Sequence, residues 1–205
     1  MDAQPLDDAP AVAAAQRGDV AAFNRLVLRY QDAVYTLCFR LTGNPDDAAD
    51  AAQEAFLSGF RHVRDFRGGS FRSWLLRIGA NACYDLHRQR RRRPADSLDA
   101  DLDGGAPGLD VADPAPGPEV AALRGELSEL MQRLLLELPQ DQRLAVVLCD
   151  LYDFDYQAIA TLTAVELGTV KSRINRGRRR LRDLMLAHRE LVPPKYRLTE
   201  EGRSS

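Results

Sequence analysis

The sequence predicts an all-α protein: two small helical domains joined by a flexible acidic linker. Three observations predict it. Apolar residues recur every three or four positions on both sides of residues 94–118, without sustained strand alternation. The stretch between, PADSLDADLDGGAPGLDVADPAPGP, is rich in Asp, Gly and Pro and has no aromatic residue. Such a segment cannot bury enough apolar area to offset its ordering entropy. Finally, charge is segregated: residues 61–93 hold ten basic residues against two acidic ones, and residues 167–205 eleven against four. The rest of the chain is acidic, so a formal net charge of −2 conceals two basic blocks. A solvated charge run is the ordinary meaning of such blocks. Two of them, each ending an apolar helical pattern, suit two contacts with a polyanion.

The expected organisation is a first domain over 1–93, a linker over 94–118, a second domain over 119–192 and a mobile tail over 193–205. In the first domain Asp19 caps a helix that runs to Thr42, and Gly43 stops it. Asn44-Pro45-Asp46-Asp47 starts the next, with a cap, a proline suited to the first turn and two carboxylates at the positive end of the helix dipole. Ala48, Ala52, Phe56, Phe60 and Val63 share its inner face. Phe66-Arg67-Gly68-Gly69 is a loop, after which Ser70 caps a third helix with Phe71, Trp74, Leu75, Ile78, Ala82 and Leu86 inside. In the second domain a helix from Glu119 to Glu137 ends before Pro139, and a short one passes through Leu144, Val147, Leu148 and Leu151. Asp155 caps Tyr156 to Leu162, a turn spans Thr163 to Glu166, and a basic helix runs from Leu167 to Leu186. Two short helices, the second studded with Lys and Arg, form a helix-turn-helix pattern.

Several classes of chemistry are set aside. Cys38, Cys83 and Cys149 form no CxxC pair and sit in apolar helical patterns, as small buried hydrophobes do. His62, His87 and His188 have no partner at metal-ligand spacing, so no metal or other cofactor is expected. No Ser-His-Asp order, P-loop or GxGxxG is present, and no catalytic residue is assigned. No apolar run approaches the roughly 20 residues that span a bilayer. Met1 to Pro10 lacks both the basic and the apolar part of a secretory signal. A cytoplasmic chain without membrane insertion is expected.

The last helix carries the plainest chemistry. Leu167, Val170, Ile174 and Leu181 fall near one face and should be buried. Thr169, Lys171, Ser172, Asn175 and Arg176 then point outward, with cations for phosphate or guanine and an amide for a bidentate base contact. The alternative is a solvated amphipathic helix. In the first domain, Phe66 and Arg67 beside two glycines, with Asn81 further along, suit stacking on unpaired bases. The arginines ending that helix could instead lay their stems along the protein surface. The face of Asp50, Gln53, Glu54 and Leu57 does not suit DNA. On the residues alone it divides evenly between an ordinary solvated face and a docking surface for a helical partner.

RYQDAVYTLCFRLTGNPDDAADAAQEAF (29–56), followed by FRGGSFRSWLLRIGANACYDLHRQRRR (66–92), closely resembles region 2 of the extracytoplasmic-function sigma factors of the sigma-70 family. LLLELPQDQRLAVVLCDLYDFDYQAIATLTAVELGTVKSRINRGRRRLRDLM (134–185) resembles their region 4. The resemblance implies a transcription initiation factor whose partners are core RNA polymerase, promoter DNA and a cognate anti-sigma factor. Asp50, Gln53, Glu54 and Leu57 match the contact to the β′ clamp helices, and the region 4 core matches the part that packs on the β flap. Phe66, Arg67, Ser70, Arg77, Asn81 and Arg88 match the −10 surface, where a base is extruded once a pocket replaces its stacking. Arg143, Thr169, Lys171, Ser172, Arg173, Asn175, Arg176 and Arg179 match the −35 surface. Two positions depart from the family. Ala164 stands where the turn commonly has Gly, and Ala tolerates positive φ poorly, so a tighter or tilted turn is expected. Glu166 stands at the cap of the recognition helix, where a carboxylate suits the dipole but repels a nearby phosphate. Rival readings are a helix-turn-helix regulator acting without polymerase, and a small hydrolase using the linker aspartates and a metal.

Overall fold

The computed structural model describes residues 8–92 and 118–190, which form two compact units, one on each side of the acidic stretch. Both are helical, and no strand occurs among the described residues. The expected linker, apart from Pro118, and the expected tail lie outside the described residues.

The first unit contains α1 (Ala9–Gln16), α2 (Val20–Thr42), α3 (Pro45–His62), a 3-10 turn (Val63–Asp65) and α4 (Phe71–Arg92). Each long helix starts where a side chain accepts from a free backbone N–H: Ala22 N to Asp19 Oδ1 at 3.0 Å, Asp47 N to Asn44 Oδ1 at 3.0 Å, and Ser73 N to Ser70 Oγ at 3.2 Å. Each such cap is worth about 1 kcal/mol. α2 stops at Gly43, whose left-handed φ of 76° lets its N–H reach Phe39 O. α2, α3 and α4 pack against one another around Leu26, Val34, Leu37, Leu75 and Leu76. α3 contributes small residues, Ala48, Ala51, Ala52, Ala55 and Gly59, so its neighbours approach closely.

Asp47 is only 7% exposed, and the guanidinium of Arg90 meets both of its oxygens at 2.5 Å. One arginine of the first basic block therefore joins the end of α4 to the start of α3. Cys38 and Cys83 are buried as expected, whereas Cys149 is half-exposed. A hydrogen bond with the Cys38 thiol, then burial, push the Cys83 thiol upward and leave it neutral.

No sequence signal announces α1. It packs on α2 through Val12 and Ala15. Asp8 precedes it without capping it, and instead accepts hydrogen bonds from the Arg29 guanidinium and the Tyr30 hydroxyl of α2.

The second unit contains α5 (Pro118–Leu136), α6 (Gln140–Val146), a π-helical turn (Val147–Leu151), α7 (Tyr156–Thr163) and α8 (Leu167–Ala187). Asp155 caps α7 by accepting from Ala158 N at 2.7 Å. Leu130 and Leu134 of α5 form a cluster with Leu181, Leu184 and Met185 of α8. Val170 and Ile174 are fully buried as expected, but Leu167 is 38% exposed because it opens α8 beyond the edge of the core. Ala164 occupies φ 51°, ψ 43°, the left-handed conformation usual for Gly after a helix. The turn therefore keeps the left-handed geometry that glycine would give it, at a steric cost of roughly 1–2 kcal/mol.

Gly177 sets how closely α8 crosses α6. A Cβ there would lie 2.6 Å from Val146 Cγ2 and 3.2 Å from Gln142 O. Valine is stiff about χ1 and the carbonyl belongs to the backbone, so neither yields easily. Gly177→Ala should destabilise the second unit by on the order of 1 kcal/mol, overpacking exceeding the gain in helix propensity. Urea unfolding checks this; an unchanged or higher midpoint would contradict the close crossing.

Burial, then the hydrogen bond and charge of Asp8, raise the Tyr30 hydroxyl from 10.0 to about 12. The fold thus favours the neutral phenol. Its stabilising contribution is complete below pH 10 and is lost as pH rises from 10 to about 12. Tyr30→Phe keeps the ring but removes the titration, so its melting temperature should fall less steeply over that window. Identical slopes for the two proteins would disprove the coupling.

Candidate nucleic-acid interface

In the first unit, α1, the loop after the 3-10 turn and the start of α4 enclose a cleft of about 1360 Å³. Arg29, Arg64, Arg67 and Arg72 make its lining cationic, and Tyr30, Phe66 and Phe71 make it aromatic. Phe66 is half-buried. Its ring meets Phe71 edge-on at 5.5 Å and tilts on Trp74 at 5.5 Å. Phe66 therefore anchors the loop as well as lining the cleft. Trp74, expected in the core, is half-buried in this cluster. Beyond Phe66 the loop is exposed, and Gly68 and Gly69 take φ of 103° and 86°, with no atom within 4 Å of where a Cβ would lie. Ser70 is exposed and caps α4, while Arg77 and Asn81 lie one turn apart on the solvent side of that helix. Arg88 is exposed and pairs with Asp85 at 3.2 Å.

A second surface lies between α2 and α3. Asp50, Gln53, Glu54 and Leu57 are all exposed along one stripe of α3. Gln53 and Leu57 border an apolar groove of about 630 Å³ floored by Phe23, Ala52 and Phe56. Its other edge is not marked by any sequence motif. Val20 is 55% exposed and Phe60 is 40% exposed, although the helical spacing of Phe60 places it on the inner face. The Phe60 ring rests edge-on against Phe23 at 5.2 Å. Asp32 places a carboxylate in the groove, whereas Asp50 and Glu54 lie on the α4 side of the stripe, where Glu54 pairs with Arg61 at 3.2 Å. On α2 the groove residues Asn24, Val27 and Gln31 face away from the cleft residue Arg29.

In the second unit α8 follows the left-handed turn at Ala164 and presents Lys171, Asn175, Arg176 and Arg179 as exposed side chains. Thr169 and Ser172 are half-buried. Ser172 Oγ donates to Thr169 O at 2.9 Å and accepts from Arg176 Nη2 at 2.9 Å, so Arg176 lies back along its own helix. Glu166 is exposed at the cap position and makes no side-chain cap bond.

Two of the residues expected at the −35 surface make contacts within the unit. Arg173 is bonded to Asp141 of α6 at 2.8 Å, and its side chain is only 19% exposed. Arg143 is 7% exposed within α6, its Nε lacks a hydrogen-bond partner, and burial lowers its pKa. Arg178, part of the cationic run, is likewise committed: its guanidinium forks onto Asp150, holding that carboxyl below its usual range, and Arg180 donates to Glu137 O at 3.3 Å. No cluster of His, Cys, Asp and Glu among the described residues could hold a metal, and none of their helices is long and apolar enough to cross a membrane.

The family model for sigma-70 region 2 matches residues 26–93, and that for sigma-70 region 4 matches residues 128–181. The ECF RNA polymerase sigma factor SigE of Mycolicibacterium smegmatis is 41% identical over 174 residues, 83% of this chain; the chain spans 65% of that relative's length. SigW of Bacillus subtilis is 38% identical, covering 82% of this chain and 90% of the relative. The sigma-E factor of Escherichia coli K12 is 36% identical, covering 85% and 92%. Among solved structures, the sigma factor RpoE of Bartonella quintana, crystallised with the anti-sigma factor NepR, aligns with a TM-score of 0.58 at 24% identity, over 81% of this chain and 98% of that one. CnrH, solved in complex with the cytosolic domain of CnrY, aligns at 0.53 and 25% identity, over 88% and 97%. Two helical units in this order, with relatives matched along most of their length, show that the chain belongs to the extracytoplasmic-function sigma factors of the sigma-70 family, which act in transcription initiation.

Proposed function

We propose that the chain docks on core RNA polymerase through the α2–α3 groove and its acidic rim, and reads a promoter with the cationic cleft and with α8. The single observation that carries this reading is the separation of surfaces on the first unit: an apolar groove bordered by the α3 stripe on one side of α2, an arginine-lined aromatic cleft on another. A regulator acting without polymerase has no use for the groove, where Val20, Leu57 and Phe60 stand exposed together. The occupant would be the β′ clamp helices, with Asp50, Gln53 and Glu54 facing basic residues and Leu57 entering an apolar contact. The second-unit core would pack on the β flap.

The first unit, residues 1–93, acts as region 2. Arg67 and Ser70 of the loop, with Arg77, Asn81 and Arg88 of α4, hold the −10 strand. The ring cluster around Phe66 supplies the wall against which an extruded base regains stacking. The second unit, residues 119–192, acts as region 4. Lys171, Asn175, Arg176 and Arg179 face the −35 element, with Thr169 and Ser172 lining the approach and the α8 N-terminus turned to a phosphate. Arg173 and Arg143 hold the unit together instead. Residues 94–118 tether the two, so binding by one raises the effective concentration of the other. The polymerase performs the bond chemistry, and the chain itself is no enzyme. It works in the cytoplasm, where a cognate anti-sigma factor covers these faces, by analogy with the Bartonella quintana RpoE crystallised with NepR.

Run-off transcription with purified core polymerase on a promoter library tests the whole reading; no initiation on any member would refute it. Leu57→Arg and Glu54→Lys should each weaken core binding at least about tenfold, the equivalent of 1.4 kcal/mol, without lowering the melting temperature. Undiminished affinity for both would remove the groove from the docking surface. Arg176→Ala should cost about 1–3 kcal/mol in −35 affinity and relax the preference at one base position. Arg173→Ala should instead lower the unfolding midpoint of the second unit. Reversed results, a base preference lost with Arg173 and stability lost with Arg176, would exchange the two roles.

A further inference from the structure

We propose that Gln16, on α1, is a positioning residue for the loop that captures the −10 base; this rests on assigning Phe66 to Ser70 to the −10 strand. Nothing in the sequence motifs marks it. Yet its amide Nε2 donates to Val63 O at 3.1 Å and to Phe66 O at 2.8 Å, carbonyls 47 and 50 residues away. Those carbonyls stand at the two ends of the 3-10 turn leading into the loop, and Phe66 N closes the same turn onto Val63 O at 3.2 Å. One NH2 group thus satisfies both ends of the stem.

The other end of α1 reaches the same loop by a second route. Asp8 accepts from the Tyr30 hydroxyl. The Tyr30 ring lies 6.1 Å from Phe71, and Phe71 meets Phe66 at 5.5 Å. α1 therefore contacts the loop stem through a polar bond at its C-terminal end and an aromatic chain at its N-terminal end. The stem is held and the tip is free: past Phe66 the glycines at 68 and 69 have no neighbour near their Cβ positions. Gln16 determines where the fixed part stops. An amide with both hydrogens used cannot rotate without losing a bond, so the Phe66 carbonyl and its ring keep one orientation at the cleft wall. Releasing that carbonyl lets the stem shift. A misplacement of about 1 Å at a site reading one base blurs its discrimination without emptying the cleft.

The experiment uses the full chain with core polymerase and a promoter that the wild-type chain recovers from a randomised library. Gln16→Met keeps the side-chain length and removes both donors; Gln16→Glu turns them into acceptors facing two carbonyls. Initiation is compared on that promoter and on versions substituted at the −10 element, at the −35 element, and with the −10 strands already unpaired. Gln16→Met should lower the preference for the native −10 base at least about fivefold, and Gln16→Glu more. The −35 preference and core affinity should stay at the wild-type level. Unpairing the −10 strands should restore the rate of initiation but not the base preference. A merely structural role would lower initiation on every template in parallel with the melting temperature, and that pattern would overturn the proposal. If Met lowers the melting temperature, Gln16→Lys decides: it retains donors for both carbonyls and should keep the wild-type −10 preference, and failure to do so also overturns the proposal. A wild-type chain that recovers no promoter refutes the sigma-factor reading itself. A wild-type chain that recovers one, with −10 preference unchanged in Gln16→Met, refutes the role of Gln16 alone.

Discussion

The ring cluster of Phe66, Phe71 and Trp74 is the contact on which the first unit's surface chemistry depends. It closes the inner end of the loop, begins the buried face of α4 and forms one wall of the cationic cleft. A cationic loop without such a floor would be only a charged segment in water, worth little at physiological salt. With the floor, the cleft joins an aromatic surface to a rim of arginines. Aromatic pairs of this geometry contribute about 0.5–1.5 kcal/mol each beyond area burial, so the cluster supports the fold and the site together.

The arginines divide their labour between scaffold and surface. Both basic blocks look uniform as strings of letters, but the folded chain sorts them. Arg90, Arg173 and Arg178 face carboxylates of other elements, and Arg143 is drawn into the core. Those contacts fix the orientation of α4 and α8. The residues left facing outward, Arg67, Arg77, Lys171 and Arg179 among them, can then act from a defined platform. Neutralising some charge internally also limits self-repulsion along α8, where three arginines are consecutive.

Most of the fold is legible in the sequence because its signals are local. Asp19, Asn44, Ser70 and Asp155 each cap a helix within three residues, and Gly43 stops one in place, so the boundaries follow from neighbouring letters. What the letters conceal depends on distant partners. α1 is Ala-rich with a weak apolar stripe and a proline in its first turn, so no period declares it; packing on α2 makes it. The π-helical turn arises where the chain meets α6 and α7, not from a residue signature. Periodicity identifies the apolar faces of α3 and α8 but not what covers them, and Phe60 and Leu167 therefore emerge at the surface. Likewise an Arg that will meet Asp141 reads the same as one that will meet a phosphate, because the aspartate lies 32 residues away. The groove and the cleft are half visible in the letters: the α3 stripe and the loop can be read there, whereas Val20, Gln16 and Tyr30 cannot.

The two glycines at the loop tip have a consequence for evolution. Because the stem is secured from behind and nothing packs on the tip, Arg67 can be replaced without disturbing any buried contact. Mutational drift at that site is uncoupled from folding. Substitutions at that one solvent-facing letter can therefore accumulate while the scaffold stays under separate, stricter selection.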